Sequence, residues 1–99
     1  MPSNKPDTVA VTRRDEALVF DGVLTRPVVA SAWRQAQALR AGATRLDLTA
    51  VSRIDSAGLA MLVALARSGD IRQLEGAPAG YAELRAAYRL DDALGFAAG

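Results

Sequence analysis

The stretch Arg45-Leu-Asp-Leu-Thr-Ala-Val-Ser-Arg-Ile-Asp-Ser-Ala-Gly-Leu59 decides the fold of this chain. At its start, two leucines alternate with polar neighbours, which predicts a buried strand over residues 45–49. Asp55 and Ser56 stand shortly before the apolar run Leu59-Ala-Met-Leu-Val-Ala-Leu-Ala66, where a helix N-cap belongs. The stretch therefore predicts a strand, a polar turn and then a helix.

The predicted helix, residues 56–67, is apolar on more than one side. A helix in a domain of 99 residues can bury only one face against its own sheet. One stripe at helical spacing predicts the buried side, and it consists of Leu59, Leu62, Val63 and Ala66. Three further apolar residues lie largely off this stripe, namely Met61, Ala64 and Leu65. We expect part of this second face to be exposed and to bind another protein.

The flanking sequence predicts the element order β-β-α-β-α-β-α. A strand at residues 8–12, a charged turn at 13–16 and a strand at 18–20, which Asp21-Gly22 ends, form a hairpin. The first helix begins at a Thr25 cap and ends near Ala41, before Gly42. The later elements are an edge strand at 71–75, a third helix at about 79–89 with Tyr81, Leu84, Ala87 and Tyr88 on one face, and a last turn at 90–94.

This order predicts an α/β fold, with an N-terminal hairpin followed by βαβ units. The expected sheet is mixed, with about four strands and with helices packed mainly on one face. Residues 1–7 read as a flexible leader, 8–95 as the domain and 96–99 as a flexible tail. Gly69 is the expected stop of the second helix.

Composition excludes several classes of function. The net charge is +1 and the basic residues are interleaved with acids, which disfavours nucleic acid as the partner. The chain has no cysteine and no histidine, so it lacks the commonest metal ligands and the commonest general base. Neither a nucleophile–base pair nor a glycine-rich phosphate loop is visible. We therefore expect no cofactor, no metal and no enzymatic activity, in a cytoplasmic protein without a membrane span or signal peptide.

The stretch from Leu46 to Leu59 resembles the core motif of STAS domains, in which a strand and a turn lead into an Asp-Ser/Thr-x-Gly-Leu helix start. The segments Phe20-Asp-Gly-Val-Leu24, Val29-Ala-Ser-Ala-Trp33 and Tyr81 to Leu94 are similar to one branch of that family. This branch is the small STAS subunit of the Mla phospholipid-transporting ABC complex of Gram-negative bacteria. Two differences from it are a shorter stretch between Gly58 and Leu74 and a charged residue, Arg72, in the last strand.

The resemblance also implies roles for individual residues. In antagonists of anti-sigma factors, the phosphorylated hydroxyl lies immediately before the glycine, and that position is Ala57 here. In the Mla branch the hydroxyl directly follows the aspartate, which corresponds to Ser56. The resemblance thus favours a partner-binding surface over a kinase switch, and we expect it to consist of Ser56, Asp55, Ala57, Gly58, Met61, Leu65 and Trp33.

Structural interpretations of the same residues stay open. An ordinary helix cap is the simpler explanation of Ser56, and Asp55 is explained first as a cap or as a complement to the helix dipole. Trp33 is compatible with a position in the core as well as with a binding hot spot. Asp47, in mid-strand, is expected at a sheet surface or beside an arginine, because an unpaired buried carboxylate is costly.

The resemblance implies a non-catalytic cytoplasmic subunit that binds the ATPase of an Mla-type transporter at the inner membrane. Such a complex moves phospholipid between the two membranes and maintains the lipid asymmetry of the outer membrane. One alternative is an anti-sigma factor antagonist, which Ala57 disfavours. Another is a small enzyme or nucleotide-binding module on a flavodoxin-like sheet. In isolation, the orphan apolar face favours a homodimer.

Overall fold

Four strands in the order β1-β2-β3-β4 form one mixed sheet in the computed structural model, which describes residues 8–68 and 71–88. The first pair of strands is antiparallel, and the other two pairs are parallel. In chain order the elements are β1 (Val9–Arg14), β2 (Ala17–Leu24), α1 (Arg26–Leu39), β3 (Arg45–Ile54), α2 (Ser56–Ser68), β4 (Gln73–Glu75) and α3 (Tyr81–Ala87). The predicted α/β fold and element order are confirmed.

The hairpin turn is tighter than predicted, and its second strand is longer. Only Asp15 and Glu16 separate β1 from β2, and Asp15 adopts a left-handed φ of 52°. The expectation that Asp21-Gly22 ends β2 is wrong, because the strand continues to Leu24. Gly22 lies inside the strand with φ 119°, and a Cβ there would stand 2.2 Å from the Thr8 carbonyl oxygen. The glycine therefore allows β1 to approach closely and does not stop the strand.

The third strand also extends five residues beyond the predicted end at Thr49, to Ile54. Its pairing with β2 shifts register twice, and each shift places one extra residue in β3. From the first shift onward, the buried positions of β3 are therefore Leu48, Val51 and Ile54, which are three apart. A two-residue alternation could not reveal this half of the strand, because bulges change the period.

The core lies between one sheet face and the helices. Leu18, Phe20, Leu46 and Leu48 are fully buried on the inner face of the sheet. Against them α1 packs Val28, Ala32 and Ala36, and α2 packs mainly leucines. The small alanine side chains let α1 approach the sheet closely. The outer face carries polar residues; there the Asp47 carboxylate accepts hydrogen bonds from the Thr49 hydroxyl and backbone N–H.

Side chains of α1 and β1 hold the β1 edge and the end of α1. The Gln35 amide accepts from the Val11 N–H at 2.9 Å and donates to the Val9 carbonyl at 3.3 Å, as a neighbouring strand would. The guanidinium of Arg13 donates to the carbonyls of Leu39 and Ala41, both at 2.7 Å. The first of these bonds satisfies the last carbonyl of α1, which ends at Leu39, slightly earlier than predicted, and the second holds the segment that follows.

At the opposite edge, β4 is shorter than predicted, and α3 is shorter as well. Gly80 has φ 91° and marks the start of α3 after Ala79, whose backbone pairs with Arg53 of β3. Of the residues predicted to share one face of α3, Tyr81 is buried, but Ala87 and Tyr88 are exposed, so a single buried face is not observed. The expected stop at Gly69 and the turn at 90–94 lie outside the described residues. Among the described residues, no helix combines the length and apolar character needed to span a membrane.

Candidate functional site

One carboxylate joins the starts of both long helices. Asp55 follows β3 directly, and its Oδ1 accepts a hydrogen bond from the Gly58 N–H of α2 at 2.9 Å. Its Oδ2 accepts from the Arg26 N–H, in the first turn of α1, also at 2.9 Å. Thr25 is the N-cap residue of α1, as predicted, but its side chain makes no capping hydrogen bond. Asp55 therefore caps two helices at once.

These contacts stabilise the charged form of Asp55. Burial by itself raises the pKa of the carboxyl, but hydrogen bonds from the Gly58, Arg26 and Ala57 backbone N–H groups outweigh it. The positive charge of Arg26 acts in the same direction, and the pKa lies below its ordinary value. The carboxylate is thus a fixed negative charge that complements the positive ends of two helix dipoles.

Ser56 is free of the capping role that its position suggested. It is the first residue of α2 and its side chain is exposed, whereas the capping bond is made by Asp55. Among the described residues none forms a hydrogen bond with the Ser56 hydroxyl. The hydroxyl is therefore presented at the protein surface, at the end of the domain where both helices begin.

Gly58 has a packing role. It is buried, and a Cβ built on it would stand 2.1 Å from the Leu24 carbonyl oxygen and 2.9 Å from Ile54 Cγ1. Only a residue without a side chain lets α2 lie this close to the ends of β2 and β3. Gly58 therefore allows the first turn of α2 to pack closely on the strand ends. Because it is buried, it does not belong to the partner surface on which it was expected.

An apolar depression lies between α1 and α2 on the surface. It is shallow and open, and we call it the α1/α2 depression; its lining consists of Val29, Trp33, Ala57, Ala60, Met61 and Ala64. Ala60 and Ala64 are exposed, and Trp33 is partly buried. Every lining side chain is apolar, and four of the six residues come from one face of α2. The expectation of an exposed second face of α2 is therefore confirmed for Ala64 but not for Met61 or Leu65, which are buried.

The exposed part of that face differs from the expected one. Leu65 is 2% exposed and contributes to the core near Leu18 and Ala43, so its expected exposure is wrong. Met61 is 5% exposed, yet it lines the floor of the α1/α2 depression. The larger side chains of α2 turn inward because they fill the core, and alanines remain outside.

Three lining residues were not among the expected site residues, namely Val29, Ala60 and Ala64. Val29 and Trp33 are four residues apart on α1, and Ala57, Ala60 and Ala64 follow helical spacing on α2. Exposed alanines at such spacing leave room for a partner to approach the helix backbone. That pattern was visible in the sequence, but alanine is so frequent in this chain, at 21 of 99 residues, that it gave little contrast.

Comparison with known proteins gives one match that spans the domain. A family model described as "Mlab, STAS domain" matches residues 8–95. The matched region contains every element of the sheet, both helices that form the α1/α2 depression, and Asp55 and Ser56. No curated protein matches the chain.

Proposed function

Because this chain belongs to the STAS-domain family, and the family model that matches it describes an MlaB-type domain, we propose that it is a non-catalytic subunit of an Mla-type ABC phospholipid transporter. In this proposal it binds the ATPase subunit on the cytoplasmic side of the inner membrane and supports the assembly or activity of the complex. The transporter in turn maintains the lipid asymmetry of the outer membrane.

The α1/α2 depression is the observation that carries this proposal. Soluble domains seldom leave a contiguous apolar surface uncovered unless it binds a partner. Here a partly buried tryptophan stands beside two exposed alanines, Ala60 and Ala64. Tryptophan is a frequent anchor of protein interfaces, and small neighbours let a partner helix approach it. The surface is therefore suited to a helix or turn of another protein.

Ser56 adds a polar contact at one end of this surface. It begins α2, one turn before Ala60, and its exposed side chain is not used for capping. Because Asp55 already satisfies the first turn, the Ser56 hydroxyl remains available for a hydrogen bond with the partner. We propose that Ser56 fixes the orientation of the docked segment while the apolar residues supply most of the binding energy.

Ala57 distinguishes this proposal from regulation by phosphorylation. Its position lines the α1/α2 depression, so a hydroxyl there would face an approaching kinase. The methyl group of alanine cannot accept a phosphate. We therefore propose constitutive docking in place of the switch expected of an anti-sigma factor antagonist. Incorporation of labelled phosphate from ATP by an anti-sigma kinase would contradict this choice.

The test is binding of the purified chain to the ATPase subunit of the Mla-type transporter of the same organism. We expect Ala64→Arg, which places a long charged side chain in the α1/α2 depression, to reduce affinity by about 100-fold or more. Ser56→Arg should weaken binding as well. Ala82→Arg is the matched control, because Ala82 is an exposed alanine on α3, outside the depression.

Circular dichroism and thermal unfolding must show that all variants are folded. Equal binding by wild type, Ala64→Arg and Ala82→Arg would exclude the α1/α2 depression as the docking surface. Failure of the wild-type chain to bind the ATPase at all would contradict the proposed function.

A further inference from the structure

The charged residues within helices α1 and α2 all have one sign. Helices α1 and α2 carry three arginines, Arg26, Arg34 and Arg67, and their sequences contain no aspartate or glutamate. All three arginine side chains are exposed. This contrasts with the whole chain, in which 12 basic residues nearly balance 11 acidic ones. The near-zero net charge therefore conceals a cationic helical face.

Helical spacing places Arg26 and Arg67 at the ends of the depression, and Arg34 on the adjoining exposed side of α1. Arg26 lies three residues before Val29, and Arg34 lies one residue after Trp33, both on α1. Residues three or four apart are neighbours on a helix surface, so Arg26 borders one end of the apolar lining. Arg67 follows Ala64 by three residues and borders the other end on α2.

The described carboxylates mostly lie on other parts of the fold. Asp15 and Glu16 form the hairpin turn, Asp21 and Asp47 lie on β2 and β3, and Glu75 and Glu83 lie on β4 and α3. Asp55 is next to the helices, but it accepts hydrogen bonds from the starts of both. Within the described residues, Arg34 has no ion-pair partner. Arg26 lowers the pKa of Asp55 by its charge but forms no ion pair.

We infer that the partner segment that occupies the α1/α2 depression is apolar in its centre and carries carboxylates at its borders, which pair with Arg26 and Arg34. This inference rests on the proposed function and specifies the chemistry of its partner. Complementary charges at the rim of an interface mainly accelerate association and select the partner, while the apolar centre holds it. A neutral or basic apolar segment would meet the same depression without this attraction.

The experiment measures affinity and association rate between the full chain and the ATPase subunit, at NaCl concentrations from about 50 mM to about 500 mM, where screening becomes nearly complete. For the wild type, we expect affinity to fall about tenfold across this range, mostly through a slower association rate. The double variant Arg26→Glu/Arg34→Glu should bind at least about tenfold more weakly than the wild type at low salt. The difference should nearly disappear at high salt.

Arg72→Glu/Arg14→Glu is the matched control, because it changes the net charge equally at two exposed positions outside α1 and α2, one on β1 and one just before β4. Weakening by this control as large as that of the helix variant would overturn the inference, since total charge alone would then explain it. The inference would also be overturned if the wild type bound equally well at all salt concentrations and Arg26→Glu/Arg34→Glu had the same affinity as the wild type.

The two proposals fail in different ways. If the wild type binds the ATPase and Ala64→Arg does not, the docking surface stands whatever the salt dependence shows. If the wild type fails to bind at every salt concentration, the proposed function itself is contradicted, and the charge inference fails with it.

Discussion

At the scale of single residues, Asp55 links the ends of two strands to the starts of two helices. Its backbone N–H donates to the carbonyl of Leu24 at the end of β2, and its two oxygens accept from α1 and α2. The width of the α1/α2 depression at this end depends on how these helix starts are held. Asp55 therefore shapes the depression without lining it.

Replacement of Asp55 by alanine should destabilise the protein by about 2 kcal/mol, since each lost cap contributes about 1 kcal/mol. Ser56→Ala, the adjacent change, should alter stability by less than about 0.5 kcal/mol, because its hydroxyl makes no capping bond. Urea unfolding followed by far-UV circular dichroism measures both. A loss of stability in Ser56→Ala as large as that in Asp55→Ala would contradict the assignment of the cap.

The lowered pKa of Asp55 predicts a defined pH dependence of stability. The pKa is below 3.8 in the folded protein and near 3.8 in the unfolded chain, so the unfolded chain binds more protons in acid. The stabilisation is complete above pH 3.8 and is lost as the pH falls through the folded value. The free energy of unfolding of the wild type should therefore exceed that of Asp55→Asn at neutral pH by about 1 kcal/mol, and this difference should shrink in acid.

The variant Asp55→Asn isolates this carboxyl from Asp47. The hydrogen bonds of Thr49, from its side chain and its backbone, also lower the pKa of Asp47, and that contribution is the same in wild type and variant. A difference that stays constant from neutral pH to about pH 2 would contradict the prediction.

Sequence reasoning found the right pair of residues at this point but could not divide their roles. Asp55 and Ser56 are adjacent and both belong to residue types that cap helices. Which of the two residues caps the helix depends on where β3 ends, and the two bulges determine that end point. A bulge leaves no reliable signal in a single sequence, whereas the apolar residues of β3 and the helix that follows were evident.

At the scale of elements, α2 shows why a periodic pattern can have two solutions. The predicted buried stripe included Val63 and Ala66, but these residues are only partly buried. A second stripe with Gly58, Met61, Leu62 and Leu65 fits the helical period equally well, and its members are all buried. In α2 the large side chains of Met61 and Leu65 fill the core, whereas Ala60 and Ala64 lie outside. Periodicity counts both kinds of residue alike.

Gly58→Ala provides a test of how closely α2 packs on the sheet. In an exposed helix this change would stabilise the protein by about 1 kcal/mol, since alanine is the better helix former. Here the new methyl group would overlap the Leu24 carbonyl, so we expect a loss of about 3 kcal/mol or more. The sign of the change in the free energy of unfolding distinguishes the two cases. Stabilisation by Gly58→Ala would show that α2 does not approach β2 as described.

The contact between α1 and the β1 edge leads to another prediction. Gln35 occupies the backbone N–H of Val11 and the carbonyl of Val9, which would otherwise be open to pairing with another chain. Gln35→Ala should lower stability by about 1 to 2 kcal/mol and increase aggregation on mild heating. Gln37→Ala, on the same helix, is the matched control.

Light scattering during a thermal ramp, together with urea unfolding, measures both effects of Gln35→Ala. Identical aggregation of Gln35→Ala and Gln37→Ala would contradict a protective role of Gln35. Polar glutamine is typical of the solvent side of a helix, and only the fold shows that Gln35 faces a sheet edge.

At the scale of the whole molecule, charge is distributed unevenly over the surface, and the net charge of the sequence does not reveal this. A net charge of +1 suggests no preferred partner, yet the two helices around the α1/α2 depression are purely cationic. The hairpin and the sheet carry acids as well as bases, and there the Arg45 guanidinium lies 3.8 Å from a Glu75 carboxylate oxygen. The fold, by placing α1 beside α2, concentrates positive charge around the apolar surface.

This distribution predicts how the isolated chain associates with itself. A symmetric dimer through the α1/α2 depression would bury the apolar lining twice, which favours pairing. It would also place Arg26 and Arg34 of one copy near the same face of the other copy, which opposes pairing until salt screens the charges. We therefore expect a monomer at about 50 mM NaCl and measurable dimer at about 500 mM, by sedimentation equilibrium. Ala64→Arg should remain monomeric at both concentrations, because it blocks the apolar lining itself. A wild-type dimer that is tighter at low salt would mean that attraction between unlike charges holds the copies together, and the cationic face would then not be the surface of contact.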